Sequence, residues 1–260
     1  MPIELFGFSL GRKTKKKTTE DKKNDLKSFV KPEVEDGASV IEYGGGYFGT
    51  YLDFNSEVKT EIEFINRYRE MALHPECETA IEDICNEAIV YDKEKLSVEL
   101  KLDRTNLSDN IKEKIHGEFE YIYNLLNFPN KGYEIFRRWY IDGKLYYHMI
   151  VDAKNTKKGI QDLRYVDPTK IRKVIEIKKE REEGTVGKEG NSPDVIKKKD
   201  EYFLYREDIN ISTGIRIAPE AVCYSTSGLY DAGTKKVISY LHKAIKPLNQ
   251  LRMIEDAVVI

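Results

Sequence analysis

Apolar residues change their period twice along this chain, and that change limits the fold more than any other feature. From about residue 56 to 126 they recur every three or four positions, as on helices buried along one side. From about 145 to 224 they gather in short runs rich in Ile, Val, Tyr and Phe. From about 234 the helical spacing returns. Helices segregated from strands in this way imply an α+β architecture. With 260 residues the chain can form one large domain or two ordinary ones. No apolar run approaches the roughly 18 residues that a membrane-spanning helix needs.

Ser56 is a candidate N-cap with Glu57 in the first turn, and Val58, Ile62, Ile65, Tyr68 and Met71 follow as one stripe. Pro75 restarts the chain in a second helix, whose buried face reads Ala80, Ile81, Ile84, Cys85, Ala88 and Ile89. Leu96, Val98, Leu100 and Leu102 alternate with Ser97, Glu99, Lys101 and Asp103, the pattern of a half-buried strand. Ser108 caps a third helix carrying Ile111, Ile115, Phe119, Ile122 and Leu126, which Phe128-Pro129-Asn130 stops. A short helix through Phe136 and Trp139 follows, and Asp142-Gly143 signals a turn.

Strands are expected at 145–151, 162–166, 170–177, 201–205 and 221–224, with Asp167-Pro168 turning the second into the third. Residues 178–200 are almost all charged or Gly, Ser and Pro, and read as a long exposed loop. A final amphipathic helix starts near Thr234. It carries Val237, Leu241, Ile245, Leu248, Leu251, Ile254 and Val258, and Pro247 is expected to kink it. The sequence ends on an apolar turn, Ala257 to Ile260, without a polar cap, which reads as a truncated end. Four segments result: a basic arm and Gly-rich linker (1–54), a helical part (55–130), a β-rich part (131–233) and the last helix (234–260).

Charge is unevenly placed. Lys and Arg number 43 against 45 Asp and Glu, a formal charge of −2, which excludes a globally basic nucleic-acid coat. Residues 1–31 hold nine basic and four acidic side chains, so that arm carries +5 and the remainder −7. Between Gly11 and Asn24 no large apolar residue offsets the entropy of ordering, so the segment is expected to be disordered. Arg12, Lys13, Lys15, Lys16, Lys17, Lys22 and Lys23 are its candidate contacts to phosphate, on DNA or at a lipid surface; a solvated tail without a partner is the alternative. Three cysteines, Cys77, Cys85 and Cys223, cannot all pair, which fits reduced thiols inside a cell.

Signals for bond chemistry are weak. Gly44, Gly46 and Gly49 match G-x-G-x-x-G, but Thr50 to Phe54 follow where a helix should open, so a turn-rich linker fits better. His74, Cys77 and Cys85 lack a second close pair of zinc ligands. Ser225-Thr226-Ser227-Gly228 resembles a nucleophile elbow only superficially, and no phosphate-binding G-x-x-x-x-G-K-[ST] occurs. No enzyme activity and no cofactor are expected. The densest aromatic and charged cluster is Phe136, Arg137, Arg138, Trp139 and Tyr140. It reads as a core anchor with outward arginines, and base stacking is the alternative.

Phe136-Arg137-Arg138-Trp139-Tyr140-Ile141-Asp142-Gly143, continuing to Tyr147-His148, resembles a signature of the portal vertex proteins of T-even-like contractile-tailed phages. So do Ala88-Ile89-Val90-Tyr91, Leu163-Arg164-Tyr165-Val166-Asp167-Pro168, Tyr224-Ser225-Thr226-Ser227-Gly228-Leu229, the run from Ile238 to Leu251, and Ile254 to Ile260. The resemblance covers about residues 56–260. It implies a homododecameric ring at one head vertex, through which double-stranded DNA is packaged and ejected. It also implies a helical and short-strand wing domain followed by a long kinked helix toward the stem. Implied partners are the terminase large subunit, the major capsid and scaffold or core proteins, and neck proteins. Implied locations are the virion, the host cytoplasm during assembly and the inner membrane face. A cytosolic nucleic-acid-binding adaptor using the basic arm is the alternative.

Overall fold

Which faces are buried decides which expected elements form. The computed structural model describes residues 3–5, 8–10, 36–43, 60–91, 96–207 apart from 181–194, and 214–259. The arm residues Arg12 to Lys23, the glycines 44, 46 and 49, and the tip 181–194 of the expected loop lie outside the described residues.

Helix α1, residues 60–71, buries the expected stripe: Ile62, Ile65, Tyr68 and Met71 are each 6% exposed or less. Its two ends serve different cores. Ile62 packs with Val174, Tyr202 and Leu204 of a sheet, whereas Tyr68 and Met71 join Ile81, Cys85, Ile141, Leu241 and Leu248 among helices. Each such aliphatic contributes roughly 1.5–3 kcal/mol by burial. Helix α2, Pro75–Ala88, starts at its proline as expected, since the missing N–H is one the first turn does not use. It buries Ile81 and Cys85 only, leaving Ala80, Ile84 and Ala88 exposed against expectation.

Residues 96–103 form no strand: Leu96 and Val98 are 48% and 39% exposed, and no strand among the described residues pairs with them. Helix α3, Asp109–Leu125, forms after Ser108, but only Tyr123 is buried; of the expected stripe Ile115, Phe119 and Leu126 are half-buried and Ile111 and Ile122 exposed. Phe128-Pro129 starts a helix rather than ending one. Asn127 turns left-handed (φ 49°) and α4 runs over Phe128–Asp142 with Pro129 in its first turn. Gly143 ends it at φ 71°.

Two sheets follow. In one, β4 (Lys144–Val151) lies between β5 (Ile160–Val166) and β9 (Val222–Thr226), all antiparallel. In the other the order is β3 (Ser39–Tyr43), β6 (Ile171–Glu180), β7 (Val195–Tyr205) and β8 (Ile215–Ile217), with β3 parallel to β6. A further pair, β1 (Ile3–Leu5) and β2 (Phe8–Leu10), is antiparallel. The expected loop 178–200 is shorter than its charge suggested. β6 and β7 pair out to Glu180 and Val195, because the ladder hydrogen bonds continue regardless of side-chain polarity.

The last helix also departs from expectation. Residues 234–239 are not helical, and Val237 instead bridges to Tyr230. A 3₁₀ turn, Tyr240–Ala244, leads into α5, Ile245–Val259. Pro247 therefore sits in the first turn of α5, where no backbone donor is lost, and it does not interrupt the helix.

Gly143 is held by more than its φ. A Cβ there would stand 2.9 Å from the Ile238 carbonyl oxygen and 3.0 Å from the Ser239 backbone. Gly143→Ala is therefore expected to cost about 2 kcal/mol or more, from left-handed strain plus the backbone clash. Urea unfolding checks this, with Gly117→Ala, which meets nothing within 4 Å, as the reference.

Candidate functional site

One guanidinium joins two turns that stand far apart in sequence. Arg69, on α1, donates from Nε and Nη2 to the two oxygens of Asp142 at 2.9 and 2.8 Å. Nη1 and Nη2 reach Asp167 at 3.1 and 3.2 Å. Asp142 closes α4, and Asp167 opens the turn between β5 and β6, where Lys170 N–H donates back to its carbonyl and Pro168 is buried. Thr169 completes the turn by donating N–H and Oγ1 to the Asp167 carboxylate at 2.8 and 2.6 Å. Burial pushes the Asp142 carboxyl above its usual range, with the hydrogen bonds from Arg69 opposing. Burial acts upward on Asp167 as well, but Arg69 and Thr169 outweigh it and hold that carboxyl low.

On the far side of Gly143 stands a second ion pair. Lys144 Nζ contacts Glu61 of α1, and the lysine side chain is 5% exposed. α1 thus grips both flanks of the Gly143 turn, through residues two helical turns apart. Burial, then repulsion from Lys236 and Arg172, lowers the Lys144 ammonium to about 7. A cavity of about 500 Å³ adjoins the pair, walled by Phe64, Tyr68, Asp231, Val237 and His242. In it the Tyr68 hydroxyl and His242 Nδ1 share a 2.7 Å hydrogen bond.

The same turn collects two further segments. Ser227 N–H donates to the Gly143 carbonyl at 2.8 Å, and Ser227 Oγ donates to the Ile238 carbonyl at 2.7 Å. Ser239 Oγ donates to the Tyr140 carbonyl at 3.2 Å and accepts from Leu241 N–H at 3.0 Å. Tyr140 stacks on Tyr240 with ring centres 4.9 Å apart and planes 2° apart, and Trp139 packs beside them at 5.4 Å. Aromatic pairs of this kind contribute roughly 0.5–1.5 kcal/mol beyond area.

The residues singled out in the sequence therefore fall into separate groups. Phe136 and Trp139 are half-buried rather than fully buried, and their rings lie 5.6 Å apart. Arg138 pairs with Glu134 and lies over the Tyr165 ring at 4.6 Å, whereas Arg137 lines a small pocket beside Arg69. Of the last stripe, Val237, Leu241 and Leu248 are buried, Ile245 and Leu251 are half-buried, and Ile254 and Val258 are 61% and 80% exposed. Sequence reasoning missed Arg69, Glu61 and Lys144. The one available signal was a charged residue beside an otherwise apolar stripe. Among the described residues no three His, Cys, Asp or Glu side chains gather as metal ligands, and no helix is long and apolar enough to cross a membrane.

Removing Arg69 strands a buried carboxylate, so Arg69→Met is expected to cost about 3 kcal/mol by chemical denaturation, with Asp142→Asn costing less. Lys144 gives a pH signature. Between pH 7 and the usual 10.5 the unfolded chain holds a proton that the folded chain sheds, so stability rises with pH across that window. Replacing Glu61 by Leu and Lys144 by Met together should flatten the rise, read as the urea midpoint against pH.

Comparison with known proteins bears on what such a frame belongs to. The profile of the Bacteriophage T4-like portal protein (Gp20) family matches residues 61–260. A portal protein of Vibrio phage KVP40 is 37% identical over 257 residues, covering 92% of this chain and 48% of its own length. A portal protein of Salmonella phage ViI is 30% identical over 245 residues, covering 88% of this chain and 42% of its own. The chain spans about half the length of these curated relatives. All four segments that meet around Gly143 lie inside the matched region, and the chain belongs to the T4-like portal protein family.

Proposed function

We propose that this chain forms the wing, and the start of the path toward the stem, of a homo-oligomeric portal ring at the phage head vertex. Double-stranded DNA is packaged and later ejected through that ring. In this reading the ring docks the terminase large subunit during packaging and neck proteins afterward, and with capsid and scaffold or core proteins it initiates the head. It is assembled in the host cytoplasm, in reach of the inner membrane face, and ends in the virion. It performs no bond chemistry of its own. The −7 outside the first 31 residues supports a conduit that does not grip phosphate, since each phosphate contact would add affinity and drag. The basic arm from Arg12 to Lys23 is the proposed phosphate contact.

One observation carries this proposal beyond family membership. The apolar stripe that ends in α5 is longer than the chain's own core uses: Leu241 and Leu248 are buried, while Met253, Ile254 and Val258 are 71%, 61% and 80% exposed. α5 is pinned along another side by buried Leu248 and half-buried Leu251, with an exposed Arg252–Glu70 pair at 3.3 Å adding little. An apolar edge on a pinned helix supports packing against a neighbouring subunit or the stem.

Replacing Ile254 and Val258 by Asp is therefore expected to leave the circular dichroism spectrum unchanged and to abolish rings, read by negative-stain imaging and mass photometry. Intact rings from that variant would contradict the proposed role of α5. A wild-type protein that stays monomeric at assembly concentrations would contradict the ring itself.

A further inference from the structure

Helix α2 is apolar on two sides and buried on one. Cys77, Ile81 and Cys85 turn inward, whereas Ala80, Ile84 and Ala88, spaced four apart, form an exposed ridge. Asp83 and Glu87 flank that ridge, Glu76 and Glu82 are exposed nearby, and α2 contains no Lys or Arg. The chain leaves the helix through Val90 and Tyr91, which are 58% and 75% exposed. An acidic helix with an uncovered apolar ridge needs a partner of matching shape and opposite charge.

Such a surface exists on the same chain. α4 touches both α2 and α3. Beyond α3, toward β5, a groove of about 300 Å³ has an apolar floor of Tyr121, Ile122 and Ile160. Tyr121 Oη donates to the Ile160 carbonyl at 2.7 Å and fixes that wall. Lys157 and Lys158 form its rim, with Lys154 exposed beside them. Glu118 in the groove and Asp152, 3.8 Å from Lys158, offset part of this charge, and residues 152–158 still hold three lysines against one aspartate.

We infer that the Ala80–Ile84–Ala88 ridge of α2 docks into the Tyr121–Ile160 groove of a second copy of this chain. Asp83 and Glu87 then face Lys157 and Lys158. Ridge and groove are made of different residues, so in the proposed contact each copy offers a ridge to one neighbour and a groove to the other, head to tail. Repeated contacts of this type close into a ring or run on as a filament. The inference rests on the ring reading and assigns it a surface that does not involve α5.

Charge reversal tests it. Asp83→Lys with Glu87→Lys makes the ridge basic, and Lys157→Glu with Lys158→Glu makes the groove acidic. All four positions are exposed, so both variants should fold, which circular dichroism verifies. Each variant alone repels itself and should need at least tenfold more protein to assemble than wild type. An equimolar mixture should recover the wild-type particle mass, because each reversed ridge now meets a reversed groove and each native ridge a native groove. Variants that assemble alone like wild type, or a mixture of folded variants that stays dissociated, would overturn the pairing while leaving the ring intact. A wild-type chain that never assembles would overturn the ring reading and this surface with it.

Discussion

A buried carboxylate at the end of a helix is unfavourable unless a cation answers it, and Arg69 answers Asp142 with one donor to each carboxylate oxygen. Much of the structure is organised by that requirement. The planar guanidinium can satisfy two carboxylates at once, so the same side chain also fixes the Asp167 turn. α1 is thereby held to the end of α4 and to the β5–β6 connection, and its apolar face can divide between the helical core and the sheet core. Glu61 and Lys144 repeat the arrangement two turns earlier. Without these ties, α1 would have to position two cores through apolar contacts that lack direction.

Segments singled out in the sequence acquire a physical meaning here. Residues 136–143, 224–229 and 238–251 meet around one left-handed glycine, through backbone hydrogen bonds, serine hydroxyls and an aromatic stack, and Arg69 ties 163–168 to them through Asp167. None of these contacts requires a substrate. They make a closely tied joint, which suits the proposed role in a ring that holds its shape. The apolar surfaces left outside that joint, on α2, α3 and the end of α5, lie on elements the joint holds in place.

The sequence made some of this legible and hid the rest for identifiable reasons. The α1 stripe, strands β4, β5, β6 and β9, the last part of β7 and the turns at Gly143 and Asp167 were readable because periodicity and turn chemistry are local, whereas β8 was not expected. The 96–103 alternation misled because a strand needs a neighbour to pair with, and among the described residues no strand pairs with it. Pro247 misled because a proline's effect depends on where the helix begins, and α5 begins only two residues before it. The α2 stripe was read as one buried face because apolar residues for the chain's own core and for another surface look alike in sequence. Arg69, Glu61 and Lys144 were invisible because their partners are many residues distant.

Native-state hydrogen exchange tests the central claim, that the four segments open as one structural unit held by Arg69. The Gly143, Ser227 and Leu241 amides each donate within the joint. Exchange in the wild-type protein should give these three one common opening free energy, and Arg69→Met should lower all three by the same amount. Three unrelated opening energies, or a change confined to Gly143, would show that the segments merely adjoin and that the arginine does not hold them together.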